Sequence, residues 1–304
     1  MQTEQPLVSI LMTAYNREDY ITESIESVLA NSYTNWELII VDDQSKDKTL
    51  YIAKSYESLD SRIKVYINET NLGDYPNRNK AASLAKGKYI KYLDSDDILY
   101  SHGLEIMVGI METFPQAGIG FANYWNTYKC RLPKLLNPQE SYYNHYFKGG
   151  LLFVGPTGSI YNRDFFNNIG KFNPIYGVAT DVEFNLKAAQ KSPVVCFQND
   201  LIWWRQHENQ EFIKRKYEYE KLYEKINTLF LNHQDCPLTQ TDIFITKNNL
   251  KNLQARKIIN LYTKFQILEA YRNFKELNIK VSQILLCVLP SKWRRYFQML
   301  IKSK

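Results

Sequence analysis

The chain has 304 residues, of which 44% are hydrophobic and 23% are charged, and its formal net charge is +6. This composition is typical of a soluble globular protein with one large domain or two small ones. It argues against a membrane-spanning protein, because apolar runs such as "VSQILLCVLP" fall short of the roughly 18–20 residues that cross a bilayer.

The N-terminal stretch and the spacing of the cysteines both indicate the compartment in which the protein works. The N-terminal stretch "MQTEQPLVSI" lacks the basic and apolar regions of a signal peptide. The four cysteines are far apart and form no CxxC pair, which indicates neither a zinc site nor a disulfide framework. They are Cys130, Cys196, Cys236 and Cys287. We therefore expect a cytoplasmic protein in a reducing compartment.

Strands and helices alternate through the first hundred residues. Four short β-rich apolar runs predict strands: "LVSILMTAY", "WELIIVDD", "RIKVYIN" and "KYIKYLD". Stretches with helical periodicity lie between them: "EDYITESIESVLANS", "KDKTLYIAKSYESL" and "PNRNKAASLAKG". Near-continuous apolar strands that alternate with helices indicate a parallel sheet covered on both faces. The sequence therefore predicts a Rossmann-like, doubly wound, mostly parallel α/β fold.

Beyond Asp97 the alternation loosens. "GLEIMVGIMETF" predicts a helix, "AGIGFANYW" a strand, and "RLPKLLNPQESYYNHYFKGG" a mobile segment or lid. From about residue 211 onward the chain has helical periodicity and almost no Gly, which predicts a helical C-terminal module. The basic runs in this third of the chain favour an anionic partner, with a solvated helix face as the simpler alternative.

Polar residues follow three of the predicted strands at their carboxyl ends: "TAYNRED", "DDQSKD" and "DSDD". In doubly wound sheets, ligands bind at this edge. The chain has neither G-x-G-x-x-G after its first strand nor a Walker A sequence, so a nucleotide would be held by side chains and a metal.

The "DSDD" run places three like charges within residues 94–97. Carboxylates at a strand end can face one cleft, and such hard oxygen ligands select Mg²⁺ or Mn²⁺. A divalent cation would relieve their repulsion and would neutralise a diphosphate leaving group. Taken alone, however, an acidic run of this kind is more often a simple turn.

The chain resembles the family 2 inverting glycosyltransferases, whose fold is known as GT-A. The resemblance covers roughly residues 7–210. It is carried by "VSILMTAYNREDYITESIESVLANSYTNWELIIVDDQSKDKT", then "PNRNKAASLAKGKYIKYLDSDD", then "GKFNP" followed by "TDVEF". We expect a nucleotide-sugar-binding half at 1–115, an acceptor-binding half at 116–210 and a helical module at 211–304.

The resemblance implies a set of residues that bind the nucleotide sugar. They are Thr13, Ala14, Tyr15, Asn16, Arg17, Asp42, Asp43, Arg78, Asp94, Ser95 and Arg205. In this set Tyr15 would stack on the base, and Asp43 would accept from a uracil N–H. The alternative for Asp42 and Asp43 is turn or capping chemistry, and for Arg78 it is a surface pair with Asp74.

The resemblance also implies the metal ligands and the base. Asp96 would be the principal ligand of Mn²⁺ or Mg²⁺, with Asp94 and His207 beside it, and Asp97 would brace the turn. Inversion needs a general base on the face opposite the leaving group, and Asp181 occupies the matching position. Thr180 departs from the family's usual acid there, and Glu183 is the reserve candidate. The alternative is that Thr180 and Asp181 only cap the following helix.

The leading hypothesis is a metal-assisted glycosyltransferase that uses a nucleotide-diphosphate sugar as its donor. A UDP-linked sugar is the expected donor. Its acceptor would be a saccharide or a lipid-linked glycan, as in surface-polysaccharide synthesis, and no nucleic-acid partner is expected. "PSKWRRYFQMLIKSK" fits peripheral docking at the inner face of the cell membrane. Packing of this tail on its own catalytic domain, or a contact in a homo-oligomer, is an equally simple alternative.

Two other functions compete with this hypothesis. One is a catalytically silent nucleotide-sugar-binding or scaffold subunit of a membrane glycan-assembly complex, which the departure at Thr180 keeps open. The other is a sugar-nucleotidyltransferase, which would need a Gly-rich loop with a Lys after the first strand. "TAYNRED" lacks that loop.

Overall fold

A computed structural model describes residues 5–122, 133–198, 200–207 and 215–276, together with 281 and 284. The chain divides into two compact units, Met1–Pro237 and Leu238–Lys304. The division differs from the expected boundary at residue 211, since the helix Lys216–Asn232 falls in the first unit. The amphipathic segment 290–304 lies outside the described residues.

The first half of the sheet is parallel, as predicted. Its strands are β1 (Val8–Ala14), β2 (Trp36–Asp42), β3 (Ile63–Ile67) and β4 (Tyr89–Tyr92). They lie in the order β3-β2-β1-β4, with every neighbouring pair parallel. The connecting helices are α1 (Ile21–Leu29), α2 (Thr49–Leu59) and α3 (Asp74–Leu84). The carboxyl ends of all four strands therefore meet at one edge.

The second half extends the same sheet in mixed orientation. Its strands are β6 (Ile119–Ala122), β7 (Lys134–Leu136), β8 (Ser159–Asn162) and β9 (Val194–Phe197). They continue the order as β4-β8-β6-β9-β7, and β8 runs antiparallel to both β4 and β6. A separate ribbon pairs β5 (Ile98–Leu99) with β10 (Ile202–Trp203).

The helices of this half lie between its strands and after them. They are α4 (Gly103–Thr113), α5 (Pro138–Lys148), α6 (Arg163–Asn168), α7 (Thr180–Lys191) and α8 (Lys216–Asn232). Two 3₁₀ helices, Pro156–Gly158 and Pro174–Ala179, lead into β8 and α7. The first of them lies at the edge of the sheet that carries the acidic turn, because β8 begins beside the end of β4.

The prediction of a mobile lid over residues 131–150 is wrong for its described part. There, β7 pairs with β9 and α5 follows directly. The Asn137 side chain accepts from the Glu140 N–H at 2.9 Å, and the Glu140 side chain accepts from the Asn137 N–H at 3.0 Å. This reciprocal capping box, with Pro at the first helical position, fixes the start of the helix.

The first unit has a core in which the sheet is buried on both faces. Alternate residues of β1 and β2, including Ile10, Met12, Leu38 and Ile40, are fully buried in one cluster with α1 and α4. At Gly87 a Cβ would lie 2.6 Å from the Leu7 carbonyl oxygen. Only glycine therefore lets β4 enter the sheet so close to β1.

The described part of the second unit is a helical hairpin, in agreement with the predicted helical C-terminal region. Within residues 238–276 this hairpin is formed by α9 (Gln240–Thr263) and α10 (Ile267–Glu276). Thr239 caps α9 by accepting from the Asp242 N–H at 3.1 Å. A small cluster of Ala255, Ile258 and Ala270 is buried between the helices. Among the described residues, no helix is both long enough and apolar enough to cross a membrane.

Candidate functional site

The acidic run forms a tight turn at the carboxyl end of β4. The Asp97 N–H donates to the Asp94 carbonyl at 2.9 Å, and the Ser95 hydroxyl donates to the Thr13 carbonyl at the end of β1, also at 2.9 Å. One carboxylate oxygen from each of Asp94, Asp96 and Asp97 lies within 4.8 Å of the others. The turn therefore gathers three carboxyl oxygens, each a possible ligand atom, at the edge where two parallel strands end.

Asp96 lies between two side chains that approach from distant parts of the chain. Its Oδ2 is 3.0 Å from Arg17 Nε and 2.9 Å from His207 Nε2. The His207 ring stacks on Tyr20, with centroids 4.9 Å apart, and its Nδ1 is buried without a partner. The structure thus brings His207 to the predicted metal ligand, where a cationic guanidinium already balances the carboxylate.

Asp94 is held by Arg78. Arg78 Nη1 lies 2.6 Å from Asp94 Oδ1, while its Nε lies 2.7 Å from Asp74 Oδ1. Burial opposes ionisation of Asp94, but the charge and hydrogen bond of Arg78 outweigh it, so the pKa of Asp94 lies below its ordinary value. Arg78 therefore makes the pair with Asp74 that the sequence left as an alternative, and also reaches the acidic turn.

Asp97 points into the protein. Its Oδ1 accepts from the Arg205 N–H at 3.0 Å, and its Oδ2 is buried without a partner. Burial, together with the charges of Asp94 and Asp96, raises the pKa of Asp97 to about 8. The Ser24 hydroxyl donates to the Asp97 carbonyl at 2.8 Å and ties the turn to α1.

Arg205 closes the turn from the opposite side. Its Nε donates to the Asp96 carbonyl at 2.8 Å, and its Nη2 pairs with Glu23. The guanidinium lies over the rings of Tyr20 and Trp203, at 5.1 and 4.8 Å from their centroids. These contacts explain how the segment after β10 reaches a site whose acids belong to β4.

The ends of β1 and β2 form the adjoining wall. Tyr15 is 45% exposed, and Asn16 has a φ of 52°, a left-handed conformation that Asn tolerates better than most residues. Asp42 is buried and accepts from the Ser45 N–H at 3.0 Å. Thr13 is partly exposed, whereas Ala14 is buried in the strand.

Asp43 is engaged in the protein's own structure. It accepts from the Asn68 side chain at 2.7 Å and from the Leu72 and Gly73 N–H groups at 2.8 and 2.9 Å. These bonds hold the loop that leads into α3. The turn chemistry considered for Asp43 is therefore present, and its contact with a uracil stays a prediction.

Asp181 lies in the first turn of α7, next to Gly155. Burial is the largest influence on its carboxyl and raises the pKa of Asp181 to about 7, with the charge of Asp74 acting in the same direction. The Asp181 N–H donates to the Tyr75 hydroxyl at 3.3 Å. A carboxyl that ionises near neutral pH is suited to general-base chemistry.

The neighbours of Asp181 have structural engagements. Thr180 is buried, and its hydroxyl can donate to the carbonyl of Gly177 at 2.8 Å or to that of Asn173 at 3.1 Å. Glu183 is also buried, which raises its pKa, and its Oε1 lies 3.6 Å from Lys187 Nζ. Thr180 therefore anchors the start of α7 in place of an acid.

Sequence reasoning missed two residues beneath the acidic turn. The Thr157 hydroxyl accepts from the Asp94 N–H at 3.1 Å. Lys91 is fully buried in β4, and its ammonium donates to the carbonyls of Tyr92, at 2.8 Å, and Thr157. Burial lowers the pKa of Lys91 to about 7, against the opposing charges of Asp94 and Asp97. The signal available in the sequence is Lys91, a lysine in the middle of the strand "YIKY".

The sheet order and the acidic turn define the GT-A class of glycosyltransferase fold. Two solved structures share it. S. aureus TarS 1–349 in complex with UDP-GlcNAc has a TM-score of 0.63 at 19% identity, covering 92% of this chain and 79% of its own. Mannosyltransferase PcManGT from Pyrobaculum calidifontis, in complex with GDP-Man and Mn²⁺, has a TM-score of 0.61 at 14% identity, covering 98% and 84%.

The chain belongs to glycosyl transferase family 2, whose model matches residues 9–170. It is similar to the putative teichuronic acid biosynthesis glycosyltransferase TuaG of Bacillus subtilis, 47% identical over 97 residues, which are 32% of this chain and 38% of TuaG. It is equally similar to Escherichia coli WfgD, UDP-Glc:alpha-D-GlcNAc-diphosphoundecaprenol beta-1,3-glucosyltransferase, 47% identical over 105 residues, 34% and 41% of the two chains. The match therefore spans about two fifths of each of these curated relatives.

Proposed function

We propose that the chain is an inverting glycosyltransferase that moves a sugar from a UDP-linked donor to a hydroxyl group of a saccharide or lipid-linked glycan. The observation that carries the proposal is the acidic turn with Arg17, Arg78 and Arg205 around it, at the same sheet edge to which Gly155 and Asp181 belong. Cations around a carboxylate cluster suit a diphosphate and its metal.

The donor half rests on the wall formed by β1 and β2. Tyr15 offers an exposed ring for a base, and Arg17 and Arg78 offer charge for two phosphates. The UDP-GlcNAc complex of TarS and the UDP-Glc named for WfgD support a uridine nucleotide. Thr13, Asn16, Asp43 and Ser95 belong to the same proposal.

The ligand atoms of the acidic turn fit a divalent cation. Asp94 and Asp96 supply hard oxygen ligands, and His207 adds a ring nitrogen that lies 2.9 Å from Asp96 Oδ2. We assign Asp96, Asp94 and His207 to hold Mn²⁺ or Mg²⁺. When bound, the cation would supply Lewis-acid neutralisation of the leaving diphosphate. The Mn²⁺ complex of PcManGT supports the assignment.

Asp181 supplies the base in a single displacement. Its carboxylate accepts the proton of the acceptor hydroxyl while that oxygen forms a bond to the anomeric carbon of the donor. The bond between the anomeric carbon and the diphosphate oxygen breaks on the opposite face, which inverts the configuration. The diphosphate leaves toward Arg17, Arg78 and Arg205, whose charges stabilise it.

The acceptor follows from the relatives. A diphosphoundecaprenol-linked sugar is named as the substrate of WfgD, and this supports a lipid-linked glycan for the present chain. Such an acceptor would be met at a membrane surface. We therefore place the protein at the cytoplasmic face of the membrane, where surface-polysaccharide precursors would be extended.

A panel of nucleotide sugars tests the proposal. With Mn²⁺ present, we expect one UDP-sugar to raise the unfolding temperature, because a ligand that binds only the folded state stabilises it. Transfer to a lipid-linked acceptor should give a product of inverted anomeric configuration by NMR. Retention of configuration would overturn the mechanism, and stabilisation without turnover would favour a binding subunit.

A further inference from the structure

The two units of the chain carry opposite charge. Residues 238–304 contain 13 Lys and Arg against three Asp and Glu, a net charge of +10. Residues 1–237 contain 25 against 29, a net charge of −4. The basic character of the whole chain therefore belongs to the second unit, and between residues 243 and 275 the only acid is Glu269.

The turn of the helical hairpin exposes large apolar side chains. Phe265, between α9 and α10, is 88% exposed and has a φ of 58°, and Leu268 is 84% exposed. Tyr262, Ile267 and Tyr271 are exposed beside them. We call residues 262–271 the hairpin tip. These side chains lie apart from the buried cluster of Ala255, Ile258 and Ala270 that joins the two helices.

Exposed basic side chains lie within the hairpin tip and on the helices beside it. Lys264 lies within the hairpin tip and is exposed, and Arg256, Lys257 and Lys275 are exposed on the two helices that lead to it. Amphipathic helices that lie on anionic membranes combine aromatic and aliphatic groups with Lys and Arg in this way. Each basic residue near such a surface adds to the attraction.

We propose that the hairpin tip docks the protein on an anionic lipid bilayer, with Phe265 and Leu268 entering the interface and the basic side chains of the tip and its two helices contacting lipid headgroups. A second copy of the chain is a poorer occupant, because two units of +10 would repel each other across a shared tip. Membrane docking itself does not depend on the proposed function. Its role does rest on that function, because docking would bring the candidate site to a lipid-linked acceptor.

Co-sedimentation of the full chain with vesicles tests the docking. We expect binding to phosphatidylcholine vesicles that contain phosphatidylglycerol and little binding to phosphatidylcholine alone. The double variant Phe265→Ser/Leu268→Ser should lose most of this binding. Lys264→Glu should weaken it by at least about fivefold, which corresponds to about 1 kcal/mol for one basic residue at the surface.

A matched control lies in the first unit. Leu59 is 80% exposed, and Lys64 is also exposed, so Leu59→Ser and Lys64→Glu remove similar groups without touching the hairpin. Both controls should bind vesicles like the wild type. Equal binding by the double variant and the wild type would overturn the proposal, as would a wild-type protein that ignores anionic vesicles.

Two further readouts separate the remaining explanations. If sedimentation velocity shows a dimer that the double variant breaks, the tip is a contact between copies and the membrane proposal is wrong. Donor binding measured by calorimetry on the same samples reports on the first unit. Vesicle binding without donor binding would reject the proposed function and leave the docking in place, whereas donor binding without vesicle binding would do the reverse.

Discussion

At Asp96, one carboxylate oxygen lies within hydrogen-bonding distance of both Arg17 and His207. Arg17 thus balances the charge at the position assigned to a cation, and the same guanidinium is assigned to the phosphates of the donor. When metal and donor bind, Asp96 would exchange Arg17 for the metal, and Arg17 would turn to the phosphates. Both side chains are already in place for this exchange. The repulsion within the acidic turn is accordingly reduced before any ligand arrives.

Replacing Asp96 tests this arrangement. We expect Asp96→Ala to weaken Mn²⁺-dependent UDP binding by more than about 100-fold, since changes in the surroundings of a metal ligand alone cost 10–100-fold. Isothermal titration calorimetry with UDP and Mn²⁺ measures the loss. Asp164→Ala serves as the control, because Asp164 is exposed and pairs with its half-buried neighbour Arg163. Unchanged affinity in Asp96→Ala would remove the metal assignment.

Asp181 sets the expected pH dependence. Its folded pKa of about 7 lies above the ordinary value of 3.8, so the base is protonated in weak acid and ionised in weak alkali. The transfer rate should rise through a limb centred near pH 7 and then level off. Asp181→Asn should keep donor binding and lose about 10²- to 10⁴-fold in rate, together with this limb. A variant that retained the limb would move the base to Glu183.

At the scale of elements, the acidic turn depends on the 3₁₀ helix before β8. Thr157 accepts from the Asp94 N–H through its hydroxyl and from Lys91 through its carbonyl. A buried amide that loses its acceptor costs about 1–3 kcal/mol. The 3₁₀ helix that contains Thr157 thus stabilises the acidic turn of the donor site, although it belongs to the segment that leads toward the acceptor side.

Thr157→Val removes the hydroxyl while it keeps the shape of the side chain. We expect the free energy of unfolding to fall by about 1–3 kcal/mol, because the Asp94 N–H is left unpaired. Denaturant titration measures this change, and weaker UDP binding should accompany it. The exposed Thr113 also has a hydroxyl bonded to a carbonyl, so Thr113→Val should cost less than about 0.5 kcal/mol. An equal loss in the free energy of unfolding in both variants would show that the hydrogen bond from Asp94 to Thr157 does not stabilise the fold more than an exposed one.

The sequence predicts those features that depend on residues close together in the chain, and it does not predict those that depend on distant residues. The four parallel strands and the acidic turn follow from runs of a few residues, whereas the bond from Arg17 to Asp96 joins residues 79 apart. The pKa of Asp181 depends on burial beside Tyr75, more than a hundred residues away. The lid prediction fails because "NPQE" carries a local helix-start signal, a capping box from Asn137 to Glu140 with Pro at the first helical position, which fixes the segment as a helix.

At the scale of the whole molecule, every residue assigned to the site lies within Met1–Pro237. A chain that ends at Pro237 should therefore bind UDP and Mn²⁺ with the affinity of the full chain, since no assigned contact is removed. Calorimetry on the shortened chain checks this, after circular dichroism confirms that it is folded. A folded but non-binding fragment would show that the second unit contributes to the donor site.

The antiparallel course of β8 has a consequence for exchanging parts between relatives. A parallel strand brings its end to the donor edge, but β8 brings its beginning there, so residues 155–158 stand beside the end of β4. A chimera that took its acceptor side from another chain would separate Thr157 from Asp94 and Lys91 if the junction fell before residue 155. Junctions placed after residue 158 would keep these partners together and let acceptor preference be recombined without rebuilding the donor site.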